Sequence, residues 1–269
     1  MDALRAVEAW PPENVSVGLT SADGTVASFG DTRREYRWAS VTKPVTALAC
    51  LVAAEEGTLD LDQPAGPPGS TVRHLLAHAS GLPLEGASPI ARPGERRIYS
   101  DYAFDVLGAA LAEHAEMAFG DYLHGAVLEP LGLGARFDGR PGSGLHGSLD
   151  DLLAIGRELL APRVVSPDTL AEATAVAFPG LVGVLPGFGR QEPNDWGLGF
   201  ELRDRKSPHW TGLRNSDRTF GHFGRSGTFL WVDPEERVAL ACLTDLTFGE
   251  WAAAAWPKLS DAVLAELGR

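Results

Sequence analysis

Ser40 and Lys43 are the residues of this sequence whose types and spacing best fit covalent catalysis. They stand three positions apart in the segment Ser-Val-Thr-Lys, and the apolar spacing that follows predicts a helix over residues 40–57. Residues at i and i+3 share a helix face, so the hydroxyl and the amine are within hydrogen-bond reach. The pair can serve as a nucleophile beside a base. The structural alternative is a serine that caps the helix and a lysine that extends to solvent.

Two further polar groups follow later in the chain. The sequence Tyr-Ser-Asp at 99–101 stands at the start of a predicted helix, and His-Phe-Gly at 222–224 lies in a predicted strand. Taken singly, a tyrosine at a helix entry and a histidine in a strand are ordinarily structural. Their order after the serine and lysine strengthens the catalytic interpretation.

The combination resembles the serine beta-lactamase and penicillin-binding-protein superfamily. In its subgroup of class C beta-lactamases, D-Ala-D-Ala carboxypeptidases and family VIII carboxylesterases, the three elements read S-x-x-K, Y-x-N and K/H-x-G. Similar stretches run through most of the chain, at residues 38–44, 75–83, 196–200, 221–227 and 230–235.

The resemblance implies a role in acyl transfer for four residues. Ser40 matches the acylated nucleophile, and Lys43 with Tyr99 matches the groups that move protons between the serine and the leaving group. The peptide N–H groups of Ser40 and Arg225 match the oxyanion hole, in which two fixed donors face the charge that develops on a carbonyl oxygen.

The resemblance also implies a substrate-binding set, and two of its members depart from the family pattern. Asp101 replaces asparagine; an ionised aspartate only accepts hydrogen bonds, so a donor to amide-like substrates is missing. His222 replaces lysine and, mostly neutral near pH 7, is a weak anchor for a substrate carboxylate. Phe223 is expected to line the cleft, and Gly224 to let a substrate lie close to the backbone.

No cofactor or metal is expected. His74 and His78 have the i, i+4 spacing of metal ligands, but no glutamate follows the first histidine, and they lie in the family-like stretch at 75–83 or directly before it. We therefore predict structural histidines. No glycine-rich phosphate-binding motif of the P-loop or Rossmann type occurs.

The composition of the chain limits which binding partners and which cellular compartment are expected. The chain of 269 residues carries 23 basic and 36 acidic side chains, a net charge of −13, which disfavours nucleic acid. The longest apolar stretch, 44–54, is too short to cross a bilayer, and the first residues lack the pattern of a signal peptide. With Cys50 and Cys242 in apolar contexts, a cytoplasmic protein with a small-molecule ester, amide or lactam substrate is expected. The oligomeric state stays open.

The elements that must position these residues predict an α/β (α+β) fold. Strands are expected at 15–20, 25–29, 197–202, 219–223, 228–232 and 238–243, and helices at 1–14, 40–57, 71–79, 101–114, 119–131, 149–160, 166–175 and 248–267. Strands at both ends with helices between favour a mostly antiparallel sheet, flanked by N- and C-terminal helices. The predicted sheet domain comprises 1–66 and 191–269, and 67–190 form an inserted all-helical lobe.

These observations predict a beta-lactamase-like serine hydrolase that cleaves small esters or amides through an acyl-enzyme on Ser40. One alternative is a beta-lactamase or D-Ala-D-Ala carboxypeptidase. The other is a catalytically impaired relative that only binds a ligand, an alternative that Asp101 keeps open.

Overall fold

The computed structural model describes residues 1–268. Its helices are α1 (Thr42–Glu55), α2 (Val72–Leu76), α3 (Asp101–Ala115), α4 (Phe119–Leu123), α5 (Leu149–Leu160), α6 (Pro167–Ala173) and α7 (Glu250–Glu266). Its strands are β1 (Val15–Ser21), β2 (Gly24–Phe29), β3 (Tyr36–Arg37), β4 (Arg136–Phe137), β5 (Leu145–Gly147), β6 (Gly183–Leu185), β7 (Gly189–Gln191), β8 (Glu201–Leu202), β9 (Phe220–Gly224), β10 (Thr228–Asp233) and β11 (Val238–Thr244). Short 3-10 helices cover Asp2–Ala9 and Ala39–Val41.

The main sheet joins the two ends of the chain. Its six strands run in the order β2-β1-β11-β10-β9-β8, and every neighbouring pair is antiparallel. Val17 of β1 lies opposite Cys242 of β11, and Leu230 of β10 lies opposite His222 of β9. The mostly antiparallel sheet with helices on its faces confirms the predicted fold class.

The central strands are buried on both faces because successive side chains point to opposite sides of a sheet. Phe229 and Trp231 of β10 pack in one apolar cluster with α7, whereas Leu230 and Val232 pack in another with α1 and α5. Every residue of β10 and β11 is buried. This double coverage explains why these strands read as continuous apolar runs.

Several predicted elements differ in extent from those observed; the helix predicted at 119–131, for example, is α4 followed by a π-helical segment at His124–Leu128. The helix predicted at 71–79 ends at Leu76, because His78 adopts a left-handed backbone with φ of 54°. The strand predicted at 197–202 shortens to Glu201–Leu202, since Gly199 turns the chain with φ of 86°. The helix predicted at 1–14 is the 3-10 helix Asp2–Ala9.

The predicted boundaries of the helical lobe stay a prediction. Helix α5 lies within the segment 67–190 but packs against β1, β10 and β11. Helices α1, α3 and α4 pack on one another beside it. No helix in the described part of the chain combines the length and the hydropathy of a bilayer span.

Candidate active site

Ser40 and Lys43 meet at the start of α1. Ser40 is half-buried in the 3-10 turn that leads into the helix, and Lys43, its second residue, is fully buried. Lys43 Nζ donates a 3.3 Å hydrogen bond to Ser40 Oγ. The preceding residue, Ala39, has a φ of 48°, an unfavourable value for a residue with a Cβ atom. The structure thus brings the predicted pair together on a strained turn, a feature that is common where function fixes the backbone.

The amine of Lys43 is fully engaged. It lies 2.5 Å from Asp101 Oδ1 and donates to the Gly142 carbonyl at 3.0 Å, in addition to its bond with Ser40. Its Nζ also sits 4.8 Å from the centre of the Tyr99 ring. These three acceptors match the three donors of an ammonium group. The charge that departs from the family pattern, at Asp101, is therefore in direct contact with the candidate base.

Tyr99 precedes α3 and faces the same amine. Ser100 fixes this helix start: its hydroxyl accepts the Ala103 N–H at 2.9 Å and donates to the Pro83 carbonyl at 2.6 Å. Burial raises the pKa of Tyr99, although the positive charge of Lys43 opposes that effect. The Tyr99 side chain therefore lies beside the amine of Lys43, which in turn contacts the serine.

His222 lies in β9 and is neutral. Its Nδ1 donates to the Phe223 carbonyl at 2.7 Å, which leaves Nε2 as a buried acceptor without a partner in residues 1–268. Burial, reinforced by the nearby charge of Lys43, lowers the pKa of His222 to about 3. A neutral imidazole at this position offers no charge to a substrate carboxylate.

Gly224, at the end of β9, is required by packing against the turn that carries the serine. A Cβ atom there would lie 2.5 Å from the Trp38 carbonyl oxygen and 2.4 Å from Thr228 Oγ1. The Thr228 hydroxyl donates to that same carbonyl at 2.8 Å. That this glycine also lets a substrate lie close to the backbone stays a prediction.

The peptide N–H groups of Ser40 and Arg225 are available for a ligand. Neither donates to another group within the described residues. The Arg225 carbonyl accepts the Phe248 N–H at 2.9 Å, so the peptide plane on its carboxyl side is fixed. Two unused donors on adjoining turns have the character of an oxyanion hole.

A cavity of about 740 Å³ opens beside these groups. The candidate residues that line it are Ser40, Tyr99, Asp101, His222, Phe223 and Arg225, whereas Lys43 lies behind them. Among the aromatic residues, Trp196 and Phe223 line the cavity, whereas Trp210 is buried in the core beside α7. The structure therefore gathers the residues that the sequence motifs singled out around one cleft.

The sequence of the chain identifies its family. The profile of the Beta-lactamase family matches residues 15–135 and 133–264. The chain belongs to the Beta-lactamase family. A solved structure of a beta-lactamase from Mycobacterium bovis shares 53% sequence identity, covers 98% of each chain and superposes with a TM-score of 0.97.

Two further relatives of this Beta-lactamase family member are more distant in sequence. Esterase EstB of Burkholderia gladioli is 25% identical over 86% of this chain and 82% of its own length. A penicillin-binding protein of Bacillus subtilis (strain 168) is 27% identical over 36% of this chain and 29% of its own length. Relatives of the family therefore include an esterase and a penicillin-binding protein.

Sequence reasoning missed three features of the site. The Gly142 carbonyl carries no side-chain signal, and only the fold brings its loop to Lys43. His78 lies in a family-like stretch, yet its contact with Tyr99 could not be deduced from spacing: the two rings are 4.6 Å apart. Glu201, on the cavity wall, forms a buried ion pair with Lys206.

The predicted alternative role of the histidines as a metal pair is not supported by their contacts. His74 Nδ1 lies 2.9 Å from Thr71 Oγ1 and its ring stacks on Phe178. The ring of His78 instead packs against Tyr99 and Trp196. The two imidazole rings thus contact different residues.

Proposed function

We propose that this protein is a serine hydrolase that cleaves small esters or amides through an acyl-enzyme on Ser40, with esters as its best substrates. The observation that carries the proposal is the 3.3 Å hydrogen bond between Lys43 Nζ and Ser40 Oγ at the edge of an open cavity. Esterase EstB among the relatives supports the choice of ester substrates.

The proposed reaction has two acyl-transfer steps. Ser40 Oγ attacks the carbonyl carbon of the ester, and its proton passes through the group formed by Tyr99 and Lys43 to the departing alkoxide. The N–H groups of Ser40 and Arg225 donate to the carbonyl oxygen as it becomes negative. A water molecule then attacks the acyl-enzyme carbonyl; the acid leaves, and Ser40 recovers a proton.

Asp101 and His222 favour esters over lactams in this proposal. An activated ester requires only the nucleophile, the proton path and the oxyanion donors. A lactam or a peptide also requires a donor to its amide side and an anchor for its carboxylate. An ionised Asp101 cannot donate, and a neutral His222 cannot balance a carboxylate charge. Each lost charge-assisted contact costs about 1.5–3 kcal/mol.

Lactam hydrolysis is the second candidate function, because the Mycobacterium bovis structure with 53% identity is described as a beta-lactamase. A comparison of p-nitrophenyl acetate with a chromogenic cephalosporin decides between the two. We expect the ester to have the higher kcat/KM. A higher value for the cephalosporin would favour the lactamase.

Covalent labelling tests the proposed nucleophile. A fluorophosphonate probe forms a bond between Ser40 Oγ and phosphorus with loss of fluoride, and intact mass spectrometry detects the added mass. We expect labelling of the wild type and of Ser226→Ala, a control at the adjoining turn, but not of Ser40→Ala. An unlabelled wild type would indicate a ligand-binding relative, and labelling that survives in Ser40→Ala would place the nucleophile elsewhere.

A further inference from the structure

The cavity extends from the reacting groups to an apolar outer wall. Leu84 and Ile90 come from the segment between α2 and α3, and Val184 comes from the β6–β7 hairpin. These two segments are joined by a hydrogen bond, since the Arg97 N–H donates to the Val182 carbonyl at 2.9 Å. The outer wall is therefore a built part of the fold.

The apolar side chains of this outer wall are unusually exposed. Leu84, Ile90 and Val184 are 51%, 57% and 60% exposed, and they are three of seven large exposed apolar residues in the described part of the chain. Their convergence on one cavity exposes an apolar surface to water. Such a surface commonly marks a binding site for an apolar ligand.

The interior of the cavity continues this apolar surface. Leu185 is fully buried below the rim, and the rings of Phe223 and Phe248 pack 5.0 Å apart on the opposite side. The volume of about 740 Å³ is in the range of sites for drug-sized ligands. An acetyl group on Ser40 would fill only a small part of it.

Three of the arginines on the wall are occupied by protein groups. Arg97 donates to four backbone carbonyls, Arg190 pairs with Glu192, and Arg96 donates to the Ile90 carbonyl at 3.1 Å. These three side chains are therefore bound to protein groups, and apolar atoms form most of the lining of the cavity. The unoccupied volume is suited to hydrocarbon.

We propose that the acyl group of the substrate is an unbranched apolar chain of about six to ten carbons, bound along this outer wall. The proposal rests on the proposed function, because it assumes that the acyl carbonyl lies at Ser40. Each methylene that leaves water for the apolar wall raises kcat/KM by about twofold to fourfold.

A series of p-nitrophenyl esters from acetate to laurate tests the length of the chain. We expect kcat/KM of the wild type to rise to the hexanoate–decanoate range and then to level off or fall. Leu84→Ser and Val184→Ser should lower the octanoate-to-acetate ratio by about fivefold each. Val26→Ser is the matched control, because Val26 is 50% exposed on β2, away from the cavity.

A binding measurement separates this proposal from the proposed chemistry. Calorimetry with the Ser40→Ala protein measures how tightly methyl hexanoate binds to the outer wall when no turnover occurs. Binding that Val184→Ser weakens supports the chain site even if fluorophosphonate labelling fails and the hydrolase proposal falls. The proposed site for the acyl chain would be overturned if kcat/KM of the wild type were highest for acetate. It would also be overturned if Leu84→Ser and Val184→Ser left the octanoate-to-acetate ratio unchanged. Either result would count even if Ser40 is labelled.

An independent observation concerns His78, which holds Tyr99 from both sides along the chain. Its carbonyl accepts the Ile98 N–H at 2.9 Å, and its Nδ1 accepts the Ser100 N–H at 3.2 Å. Its ring also packs 4.6 Å from the Tyr99 ring. The N–H groups of the residues directly before and after the tyrosine therefore both donate to His78.

The geometry points to His78 as a positioning residue for Tyr99. The backbone N–H of Ser100 can only donate, so Nδ1 of His78 must be an unprotonated acceptor. Burial, together with the charge of Lys43, keeps the pKa of His78 well below its usual value. The ring thus stays neutral and keeps this acceptor over the working pH range.

Two substitutions distinguish positioning from simple packing. His78→Gly removes the ring without straining the left-handed backbone, whereas His78→Asn tolerates that backbone and keeps an acceptor near the Nδ1 position. We expect the fluorophosphonate labelling rate to fall about tenfold or more in the glycine variant and to recover largely in the asparagine variant. If the glycine variant does not fold, His78→Phe, which keeps a packed ring but has no hydrogen-bond acceptor, serves in the same comparison.

The labelling rates of the His78 variants are also measured in a Tyr99→Phe background. If His78 acts by positioning the tyrosine hydroxyl, removal of its ring should change the rate less than twofold once that hydroxyl is absent. An equal loss in both backgrounds, or an asparagine variant as slow as the glycine variant, would overturn the assignment.

Discussion

Asp101 Oδ1 lies 2.5 Å from Lys43 Nζ, and the amine is fully buried in this ion pair. The carboxylate stands at the first residue of α3, and the amine at the second residue of α1. Because Lys43 also contacts Ser40, the charge of Asp101 acts directly on the candidate proton path. The ratio of ester to lactam turnover should therefore depend on this carboxylate.

Asp101→Asn should raise cephalosporin turnover relative to p-nitrophenyl acetate turnover by about tenfold or more. The amide restores a donor to the substrate and removes the negative charge beside Lys43. Measurement of kcat/KM for both substrates checks the ratio. Asp105→Asn is the control, since Asp105 lies one turn further along α3 and pairs with Arg140 instead. An unchanged ratio in Asp101→Asn would remove the argument for ester preference.

Gly142→Ala should disturb the amine of Lys43. A Cβ at Gly142 would lie 3.2 Å from Lys43 Nζ and 3.1 Å from Phe104 Cβ, so one of them must move. We expect kcat to fall by about tenfold or more, with a loss of about 1–3 kcal/mol in the free energy of unfolding. Gly125→Ala, where a Cβ has no neighbour within 4 Å, should retain wild-type kcat. Equal kcat values in the two variants would contradict the role of the Gly142 carbonyl.

His222 should make the free energy of unfolding fall in mild acid. Its pKa is lowered to about 3 by burial, whereas an unfolded chain binds the proton near pH 6.5. Between these values the unfolded state holds more protons, so acid favours unfolding. From pH 8 to pH 5 the loss due to His222 alone is about 2 kcal/mol.

Urea denaturation at both pH values measures that loss. His222→Gln should reduce the pH dependence by this amount, whereas substitution of the exposed His124 by Gln should leave it unchanged. A His222→Gln protein with the full wild-type dependence would show that this histidine does not titrate as its burial implies.

Glu201→Gln should destabilise the fold strongly. Glu201 forms a buried ion pair with Lys206 and accepts from Trp210 Nε1 at 2.8 Å. Although burial raises the pKa of Glu201, the charges and hydrogen bonds of His209 and Lys206 lower it to about 2. Loss of the carboxylate charge leaves Lys206 buried and unpaired, at a cost of about 3–5 kcal/mol.

Thermal or urea unfolding compares this variant with Glu192→Gln, which breaks the exposed pair with Arg190. That control should cost less than about 1 kcal/mol. The double variant Glu201→Gln/Lys206→Met should recover part of the loss, because it removes the unpaired charge. A single variant as stable as its control would mean that the buried pair is not needed.

The sequence by itself determined the family, the fold class and most of the cleft. The spacing of Ser40 and Lys43 is local, because residues at i and i+3 on one helix must lie side by side. The alternating and apolar runs likewise determined β1, β2, β10 and β11, since a strand with a buried face requires that pattern. Tyr99 and His222 were singled out by the order of the motifs along the chain, and that order reflects the fold that the family shares.

Only the tertiary structure decided how the distant parts meet. The Gly142 carbonyl contacts Lys43, and the His78 imidazole accepts the Ser100 N–H, and no motif predicted either contact. The packing of Gly224 against the Trp38 carbonyl was likewise not predicted. The ion pair of Glu201 and Lys206 forms where burial removes water from both charges. Such contacts depend on the packing of elements far apart in the chain, which spacing and composition do not encode.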